Sequence, residues 1–465
     1  MRICDTRLAS IATLAMAWLS PSLSAQEKPD TLSLDMARAI EIAYKQNANV
    51  TTSDMEVTRA TYNQRKGLSA LLPNVNLSGS YGYTLKKQRV YFGGGDDSSN
   101  PFASAFPKEG IEMGQTHNIQ AGVQAGVAVL APQLWASLAL DRNAVEQAVE
   151  KARASRVEMT SEVRKAYLGA LMARDALRVL EESLANAQEN HGQIRQKFEQ
   201  GLVAEYDLIR MDAQVKNLMP EVIRAQQSVR LAEMKLKVLM NIDPDHPIKL
   251  KEQLEDYNHV VYGRLLSDDA PLSLEQNSAL RTLDLQGDQL EKIIKVKKMA
   301  YAPTLSLSFS YNYSFASDQF KLDNNRRWSP HSMIGVSLNI PVFSGGSRYY
   351  DLKATRLQLQ QLALQRRQTE KELNLGLTNS RSEQRNAASQ FVASQEAVRS
   401  AQKGYDIAQA RYRTGAGTIL ELNDADLALR QAQLNLNQSI FNYMVASYTL
   451  DQLEGRIYMK SNKQQ

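Results

Sequence analysis

The side chains that most often perform catalysis or bind metals are sparse in this sequence and form no recognisable site. The 465 residues include a single cysteine, Cys4, and five scattered histidines: His117, His191, His246, His259 and His331. The sequence has no HExxH helix, no nucleotide-binding glycine motif and no phosphate loop. The run Gly93-Gly94-Gly95 is interpreted as a loop tip, because no helix opens after it to hold a phosphate. These residues predict a protein that is not an enzyme and uses neither a cofactor nor a metal.

The overall charge and hydropathy exclude two further classes. Lys and Arg number 55, Asp and Glu number 50, and the formal net charge is +5. A nucleic-acid-binding protein concentrates basic charge on one face, so this near balance argues against that function. The mean hydropathy is −0.41. No segment has 18 consecutive apolar residues, so no transmembrane helix is predicted.

The first 25 residues are typical of a secretory signal peptide. Arg2 and Arg7 precede an apolar run over 8–19, and small residues lead up to Ala25. This run is too short for a bilayer, which needs about 20 residues. We expect cleavage after Ala25, with Ser24 as the second choice, which removes the only cysteine. The alternative is a buried N-terminal helix.

Two parts of the chain follow the same helical plan. Apolar or small residues recur at alternating spacings of three and four from Met159 to Leu239, and the same register recurs from Leu373 to Leu453. Gly201 and its counterpart Gly415 each interrupt the pattern once. A sustained pattern of this kind predicts helices packed as coiled coils. The glycine breaks predict that each pair turns back as a helical hairpin.

The predicted helices differ in length. They fall into three pairs: long helices at 134–200 and 346–412, returning helices at 207–239 and 421–453, and helices before a proline at 34–71 and 274–301. A long helix spans about 100 Å at about 1.5 Å per residue. The returning helices are about half as long, so we expect the helices before each proline to stack on their ends. Ser273 and Gln276 are predicted to form a capping box, and Pro220 to kink its helix.

Four segments alternate strictly between apolar and polar residues, at 75–85, 118–129, 305–315 and 334–342. Alternation predicts strands of one sheet with an apolar and a polar face. Each run has the length of a tilted transmembrane strand, about 9–11 residues. The polar face is small and uncharged, and aromatic residues gather toward the tips, as in an outer-membrane barrel. The alternative is a half-buried sheet in a soluble domain, but no segment offers an apolar partner for it.

Four strands are too few to close a barrel, since the smallest barrels use about eight. An open sheet edge in lipid is excluded. Several copies of the chain must therefore contribute strands, and we expect a homo-oligomer. The segments 86–116 and 316–333 are expected at the strand tips away from the helices, as extracellular loops are.

Several local motifs, in order along the chain, make this sequence resemble the TolC family of outer membrane channel proteins. They are the opening helix Leu32-Ser33-Leu34-Asp35-Met36-Ala37-Arg38-Ala39-Ile40-Glu41-Ile42-Ala43 with Asn47, the helix-to-strand junctions Leu72-Pro73 and Ala302-Pro303-Thr304-Leu305, the strand-to-helix junction Ile340-Pro341-Val342-Phe343, and the hairpin tips Phe198-Glu199-Gln200-Gly201-Leu202-Val203-Ala204 and Tyr412-Arg413-Thr414-Gly415. The resemblance covers nearly all of the mature chain. It departs from the family at Ala48, where the opening helix usually has proline.

The resemblance implies a fold that is mainly α with a small transmembrane β part. Long coiled-coil hairpins and four strands per chain would assemble as a homotrimer with a 12-stranded β-barrel and a 12-helix α-barrel tunnel. The predicted segments are a signal peptide at 1–25, a first repeat at 26–240, a linker or equatorial segment at 241–271, a second repeat at 272–455 and a tail at 456–465.

The resemblance also implies a function. The chain would be the passive exit duct of a tripartite efflux or type I secretion system in the bacterial outer membrane, with its tunnel in the periplasm. Its partners would be a periplasmic adaptor and an inner-membrane pump of the RND or ABC type. The helices alone leave an alternative open, a soluble periplasmic coiled-coil scaffold or adaptor. The sequence does not specify the cargo.

The resemblance assigns candidate residues at the closed periplasmic end. Glu421 and Asp424 match acidic residues that ring this end in the family, and their spacing lets both face the lumen of a tunnel. Threefold symmetry would place six carboxylates near one axis, a selectivity ring for cations. The alternative is a solvated helix start whose acids suit the helix dipole.

The resemblance assigns two further sets of residues. Asp207 and Tyr412 match the family's polar latch, while Gly417 stands where its basic residue is expected and Arg413 is a possible substitute. The residues predicted to contact an adaptor lie at the two hairpin tips: Gly201, Leu202, Val203, Gly415, Ala416 and Gly417.

Overall fold

The computed structural model describes residues 31–91, 110–265, 271–320 and 328–456. The elements are β1 (Leu32–Leu34), α1 (Met36–Gln46), α2 (Ala48–Ser69), β2 (Asn74–Tyr83), β3 (Gln88–Val90), β4 (Ile111–Met113), β5 (His117–Leu130), α3 (Pro132–Glu199), α4 (Glu205–Leu239), β6 (Ile248–Leu250), α5 (Asn258–Leu265), α6 (Ser278–Met299), β7 (Thr304–Ser317), β8 (Trp328–Asn339), α7 (Ser347–Arg413) and α8 (Ile419–Glu454). The predicted signal peptide and the tail beyond 456 lie outside the described residues.

The two long helical hairpins are confirmed. Helices α3 and α7 have 68 and 67 residues, and α4 and α8 have 35 and 36. Gly201 and Gly415 follow the long helices with φ of 73° and 76°, a conformation that favours glycine. The next residue in each turn bonds back to the helix: Leu202 N–H to the Lys197 carbonyl and Ala416 N–H to the Arg411 carbonyl, both at 2.9 Å. Both hairpins therefore turn by the same glycine-dependent cap.

The short helices stack on the returning helices, as predicted. The Asn47 side chain accepts the first N–H groups of α2, and its amide donates to the Leu239 carbonyl at 2.8 Å. Asn277 caps α6 in the same way and donates to the Leu453 carbonyl at 2.6 Å. Each asparagine thus satisfies orphan groups of two helices at once. The result is a helical column from α2 and α4, and another from α6 and α8.

Two helix boundaries differ from the predictions. The predicted single helix at 34–71 is two helices, α1 and α2, separated at Asn47. The helix predicted from 274 begins at Ser278, and the capping box at 273–276 was wrong. The Ser273 hydroxyl accepts the Glu275 N–H at 3.3 Å, while the Asn277 side chain is fixed by its tertiary bond to α8 and caps α6 instead.

Each chain forms a strip four helices wide. Helix α3 packs against α2 and α6 along one half of its length and against α4 and α8 along the other, and α7 packs against α6 and α8. The α2–α4 column and α7 are therefore the two edges of the strip. Among the described residues, no helix combines the length and hydrophobicity needed to cross a membrane.

The four predicted strands form one antiparallel sheet in the order β2-β5-β7-β8. Leu77 and Ile334, on the apolar face, are 81% and 73% exposed. None of these four strands contains a charged residue. Strand β8 begins before its predicted start and ends at Asn339, so the last predicted strand residues, 340–342, lie outside it. β2 and β8 each have one unpaired edge within the chain.

Two segments predicted as connections contain regular structure. Within 86–116, β3 and β4 pair as an antiparallel hairpin, with an ion pair between Arg89 and Glu112 at 2.9 Å. Residues 92–109 and 321–327 lie outside the described part of the chain. That these residues belong to extracellular loops therefore stays a prediction. In 241–271, β6 pairs in parallel with β1, and Leu250 and Leu254 are buried in the main core. The described part of this segment is therefore folded.

Candidate functional site at the hairpin tips

The tips of the two hairpins meet around a cleft of about 640 Å³. Buried side chains from α3, α4, α7 and α8 form an apolar cluster behind it: Ala187, Ile194, Met211, Leu218, Tyr405, Tyr412, Ile419, Leu422 and Leu429. This cluster is separate from the main core, which is built from residues between Leu34 and Met444. The positions of the tips relative to each other are therefore set by packing within the tip region itself.

The structure places Glu421 and Asp424 together on the exposed surface of the first turns of α8. The Thr418 hydroxyl accepts the Glu421 N–H at 3.2 Å and caps the helix. A Glu421 carboxylate oxygen lies 3.7 Å from the Arg411 guanidinium, which also donates to the Ala416 carbonyl at 3.0 Å. Glu421 and Asp424 are thus both accessible to ions. Their predicted role, as an acidic ring that gates the closed periplasmic end, stays a prediction.

Sequence reasoning missed Arg411. It lies in the last turn of α7, where a basic residue suits the helix dipole, and that position was the available signal. Through its two contacts Arg411 joins the second hairpin turn to the start of α8.

The predicted latch residues Asp207 and Tyr412 line the same cleft. Tyr412 is 7% exposed, and its hydroxyl has no hydrogen-bond partner among the described residues. Burial, with a smaller effect of the Asp207 charge, raises the pKa of Tyr412. The structure therefore brings the two residues into one cleft without a hydrogen bond between them.

Tyr412 contacts a cation that was not considered from the sequence. The Lys197 ammonium lies 4.7 Å from the centre of the Tyr412 ring, a cation–π contact. Arg413 lines the cleft as well. A Cβ at Gly417 would lie 3.1 Å from the Arg411 Cβ, so a larger residue there would be crowded. Lys197 was missed because it lies on the other hairpin, 215 positions before Tyr412.

The residues predicted to contact an adaptor lie at the turns. Leu202, Val203, Gly415 and Gly417 line the cleft, and Leu202 is 68% exposed. Gly201 and Ala416 are exposed in the turns themselves. These six residues form an accessible surface at the end of the molecule, and their contact with a partner stays a prediction.

Farther from the tip, α8 is bonded to both helices of the first hairpin. The Ser183 hydroxyl of α3 donates to an Asp426 carboxylate oxygen at 2.8 Å, and the two residues are 4% and 8% exposed. The Arg430 guanidinium lies 3.5 Å from a carboxylate oxygen of Glu221 in α4. Burial raises the pKa of Asp426, while the Ser183 hydrogen bond and Arg430 act in the opposite direction. Sequence reasoning missed these four residues because each lies next to, and not at, one of the apolar positions that recur at spacings of three and four.

The described residues contain no group of three or more histidine, aspartate or glutamate side chains that could hold a metal ion. The polar groups at and near the tips are instead arranged as ion pairs, a helix cap and inter-hairpin hydrogen bonds. This arrangement suits contact with ions and with another protein surface.

Comparisons with known proteins agree with this architecture. The chain is 23% identical over 397 residues to the outer membrane protein TolC of Vibrio cholerae, covering 84% of this chain and 83% of the relative. It is 23% identical over 315 residues to the alkaline protease secretion protein AprF of Pseudomonas aeruginosa, covering 66% and 63%. The crystal structure of CusC superposes with a TM-score of 0.72 at 18% identity, over 94% of this chain and 96% of that one.

A family model matches most of the chain. Residues 39–241 and 270–456 match the model described as outer membrane efflux protein. The matched residues include both hairpins, all four strands of the main sheet and every predicted site residue. The chain therefore belongs to the outer membrane efflux protein family.

Proposed function

We propose that this chain forms the outer membrane channel through which a tripartite efflux or type I secretion system expels its cargo. The observation that carries the proposal is the joining of two structures in one chain. An uncharged sheet exposes an apolar face, and two hairpins of about 100 Å extend from it. The sheet is suited to contact with lipid, and the hairpins are long enough to cross much of a periplasm. The exposed apolar face disfavours the alternative, a soluble scaffold or adaptor.

The functional unit is a homotrimer in this proposal. The unpaired edges of β2 and β8 cannot remain open in lipid, because no water is present there to satisfy backbone groups. Three copies of a four-stranded sheet would supply twelve strands, and three strips would supply twelve helical columns. The helices at the edges support this arrangement. They expose apolar residues that another copy could cover: Ile223, Leu231 and Val238 on α4, and Leu357 and Leu364 on α7.

The hairpin tips are the periplasmic entrance in this proposal. Glu421 and Asp424 from three chains would place six carboxylates around the axis and favour cations there. Asp207 and Tyr412 would form part of the latch, with Lys197 as the nearby cation. The six tip residues would receive a periplasmic adaptor, which links the channel to an inner-membrane pump. The name of AprF, a protein secretion component, supports a type I system as one setting.

The test is conductance of the full-length processed protein, purified from the outer membrane in detergent. We expect trimers by mass measurement and discrete single-channel conductance in planar lipid bilayers. A monomer recovered from the periplasmic fraction, with no conductance at any protein concentration, would contradict the proposal.

A further inference from the structure

Basic residues are concentrated where the helices meet the main sheet. The four helix ends beside the sheet, taken as residues 62–73, 131–142, 292–303 and 343–356, contain ten Lys or Arg and two Asp. The whole sequence has 55 basic and 50 acidic residues, so its near balance of charge does not hold at this level of the molecule. Most of the excess positive charge lies at the end of α6 and the start of α7.

Four of these cations and two tyrosines form a patch across α6 and α7. We name this patch the junction collar, and it consists of Lys297, Lys298, Tyr301, Arg348, Tyr349 and Lys353. The Arg348 guanidinium lies 5.7 Å from the centre of the Tyr301 ring, and the Lys353 ammonium lies 5.0 Å from the centre of the Tyr349 ring. The Lys297 ammonium donates to the Asp351 carbonyl at 3.3 Å. These contacts use only some of the donors on each cation, since a lysine has three and an arginine five.

The cations of the junction collar differ from those farther along the same two helices. There, Arg366 of α7 pairs with Asp284 of α6, and Arg399 pairs with Glu396. None of the four cations of the collar forms an ion pair with a carboxylate in the part of the chain that the structure describes. The collar therefore presents positive charge that these residues do not neutralise, and such a surface is suited to an anionic ligand.

The collar lies beside exposed apolar side chains. Val342 and Phe343, in the segment between β8 and α7, are 91% and 87% exposed. The Arg348 guanidinium donates to the Pro341 carbonyl at 3.4 Å, so this cation lies next to that segment. Exposed apolar side chains are unfavourable in a water-filled duct and favourable against acyl chains. We therefore place the collar on the side of the chain that faces lipid.

The height of the collar matches the headgroup layer of a bilayer. Strand β7 has 14 residues, enough at the usual tilt to cross a hydrocarbon core of roughly 30 Å. Tyr301 comes just before this strand, and Lys353 lies six residues into α7, or about 9 Å along it at about 1.5 Å per residue. One headgroup layer is about 5–8 Å thick. Tyrosine and basic side chains are enriched at this boundary.

We propose that the junction collar binds the phosphates of anionic phospholipids, such as phosphatidylglycerol, in the periplasmic leaflet of the outer membrane. Clusters of basic residues at the edge of a membrane domain attract anionic headgroups in this way. The four cations would hold the phosphates, and Val342 and Phe343 would contact the acyl chains. The inference goes beyond the proposed channel function and rests on it only for the placement of the sheet in the membrane.

The test is native mass spectrometry of the processed trimer in detergent, which counts the lipids that stay bound. The wild type should retain dioleoylphosphatidylglycerol in preference to dioleoylphosphatidylethanolamine, which has the same acyl chains and no net charge. Each cation near the surface contributes about fivefold, so Arg348→Gln with Lys353→Gln should reduce this preference roughly 25-fold. The matched control, Lys371→Gln with Lys403→Gln, removes two exposed cations of α7 far from the sheet and should change nothing.

Two further measurements separate charge from structure and lipid from a soluble phosphate ester. Arg348→Lys with Lys353→Arg keeps both charges and should retain the wild-type preference. Glycerophosphoglycerol, the soluble headgroup, should not displace bound phosphatidylglycerol at an equal concentration. The inference would be overturned by equal retention of the two lipids on the wild type, by an unchanged preference in the neutral variant, by a lost preference in the charge-conserving variant, or by displacement with the soluble headgroup.

The same preparation distinguishes failure of this inference from failure of the channel function. A wild-type trimer that conducts in planar bilayers without preferring the anionic lipid would leave the channel function intact and overturn the lipid site. A wild-type protein without conductance would contradict the channel function, whichever lipids it retains.

Discussion

Three carboxylates near the start of α8 differ sharply in their surroundings. Glu421 and Asp424 are exposed, whereas Asp426 is 8% exposed and hydrogen-bonded to another helix. An exposed carboxylate can meet a mobile cation, while a buried one can only serve a fixed partner. Within six residues the same chemical group is therefore suited to two tasks, attracting ions and holding helices.

The exposed pair leads to a prediction about ion selectivity. Replacing both Glu421 and Asp424 with Ala removes the carboxylates proposed to ring the axis, so the preference for cations should weaken. The reversal potential of bilayer currents in a salt gradient measures this preference. Glu372→Ala, an exposed acid on α7 far from the tip, is the matched control and should retain the wild-type reversal potential. An unchanged potential in the double variant would remove these residues from the gate.

The buried carboxylate leads to a prediction about pH. Because burial raises the pKa of Asp426 above 3.8, the folded protein holds this proton more tightly than the unfolded chain does. The stability gained by protonation is present below the unfolded-state pKa and is lost as the pH rises through the folded-state pKa. Asp426→Asn lacks this dependence and should unfold at a higher temperature than the wild type at neutral pH.

Thermal unfolding followed by circular dichroism measures this difference in unfolding temperature. It is recorded from neutral pH down to below the unfolded-state pKa of Asp426. The difference between Asp426→Asn and the wild type should narrow as the pH falls. Parallel pH profiles for the two proteins would show that the Asp426 charge does not limit stability.

At the scale of helices and strands, the parts predicted from sequence are those with a local signal. The three-and-four spacing located both hairpins, and the alternation located the four strands, because each period reports which face is buried. The helix starts at Asn47 and Asn277 were missed, since each cap depends on a carbonyl of a distant helix. The hydrogen bond between Ser183 and Asp426 joins residues 243 positions apart. The spacing of apolar residues does not indicate which of the polar residues next to them will form such a bond.

The junction between α6 and α8 can be tested by separating the two roles of Asn277. Asn277→Asp keeps the oxygen that caps α6 but loses the amide that donates to the Leu453 carbonyl. Asn277→Ala loses both, at a cost of about 1 kcal/mol for the cap and about 1 kcal/mol for the orphaned carbonyl. The unfolding temperature should therefore decrease from wild type to Asp to Ala. Equal temperatures for Asp and Ala would mean that the cap contributes nothing.

At the scale of the whole molecule, the sheet divides two environments. Its apolar face is exposed in the chain, and its other face is polar without formal charge. Period-two alternation separates these faces residue by residue, so neighbouring positions of one strand should respond in opposite ways to the same substitution.

Leu77 and Ser78 of β2 provide this comparison. Leu77→Asp places a charge on the lipid face and should prevent stable insertion, because charged residues are unfavourable there. Ser78→Asp places it on the polar face and should insert normally. Recovery of trimers from the outer membrane fraction measures insertion, and equal recovery of the two variants would contradict the assignment of the faces.

The helical columns also differ in how they are anchored. Helix α3 follows β5 after one residue, and α7 follows β8 after a short segment, so both are rods attached to the sheet. Among the described residues no strand adjoins helix α8, which starts at a hairpin turn and ends where Asn277 meets the Leu453 carbonyl. Helix α8 is therefore not joined directly to the sheet along the chain. We therefore expect a displacement of α8 at the tip to leave α3 and the sheet in place, because neither is joined directly to α8 along the chain.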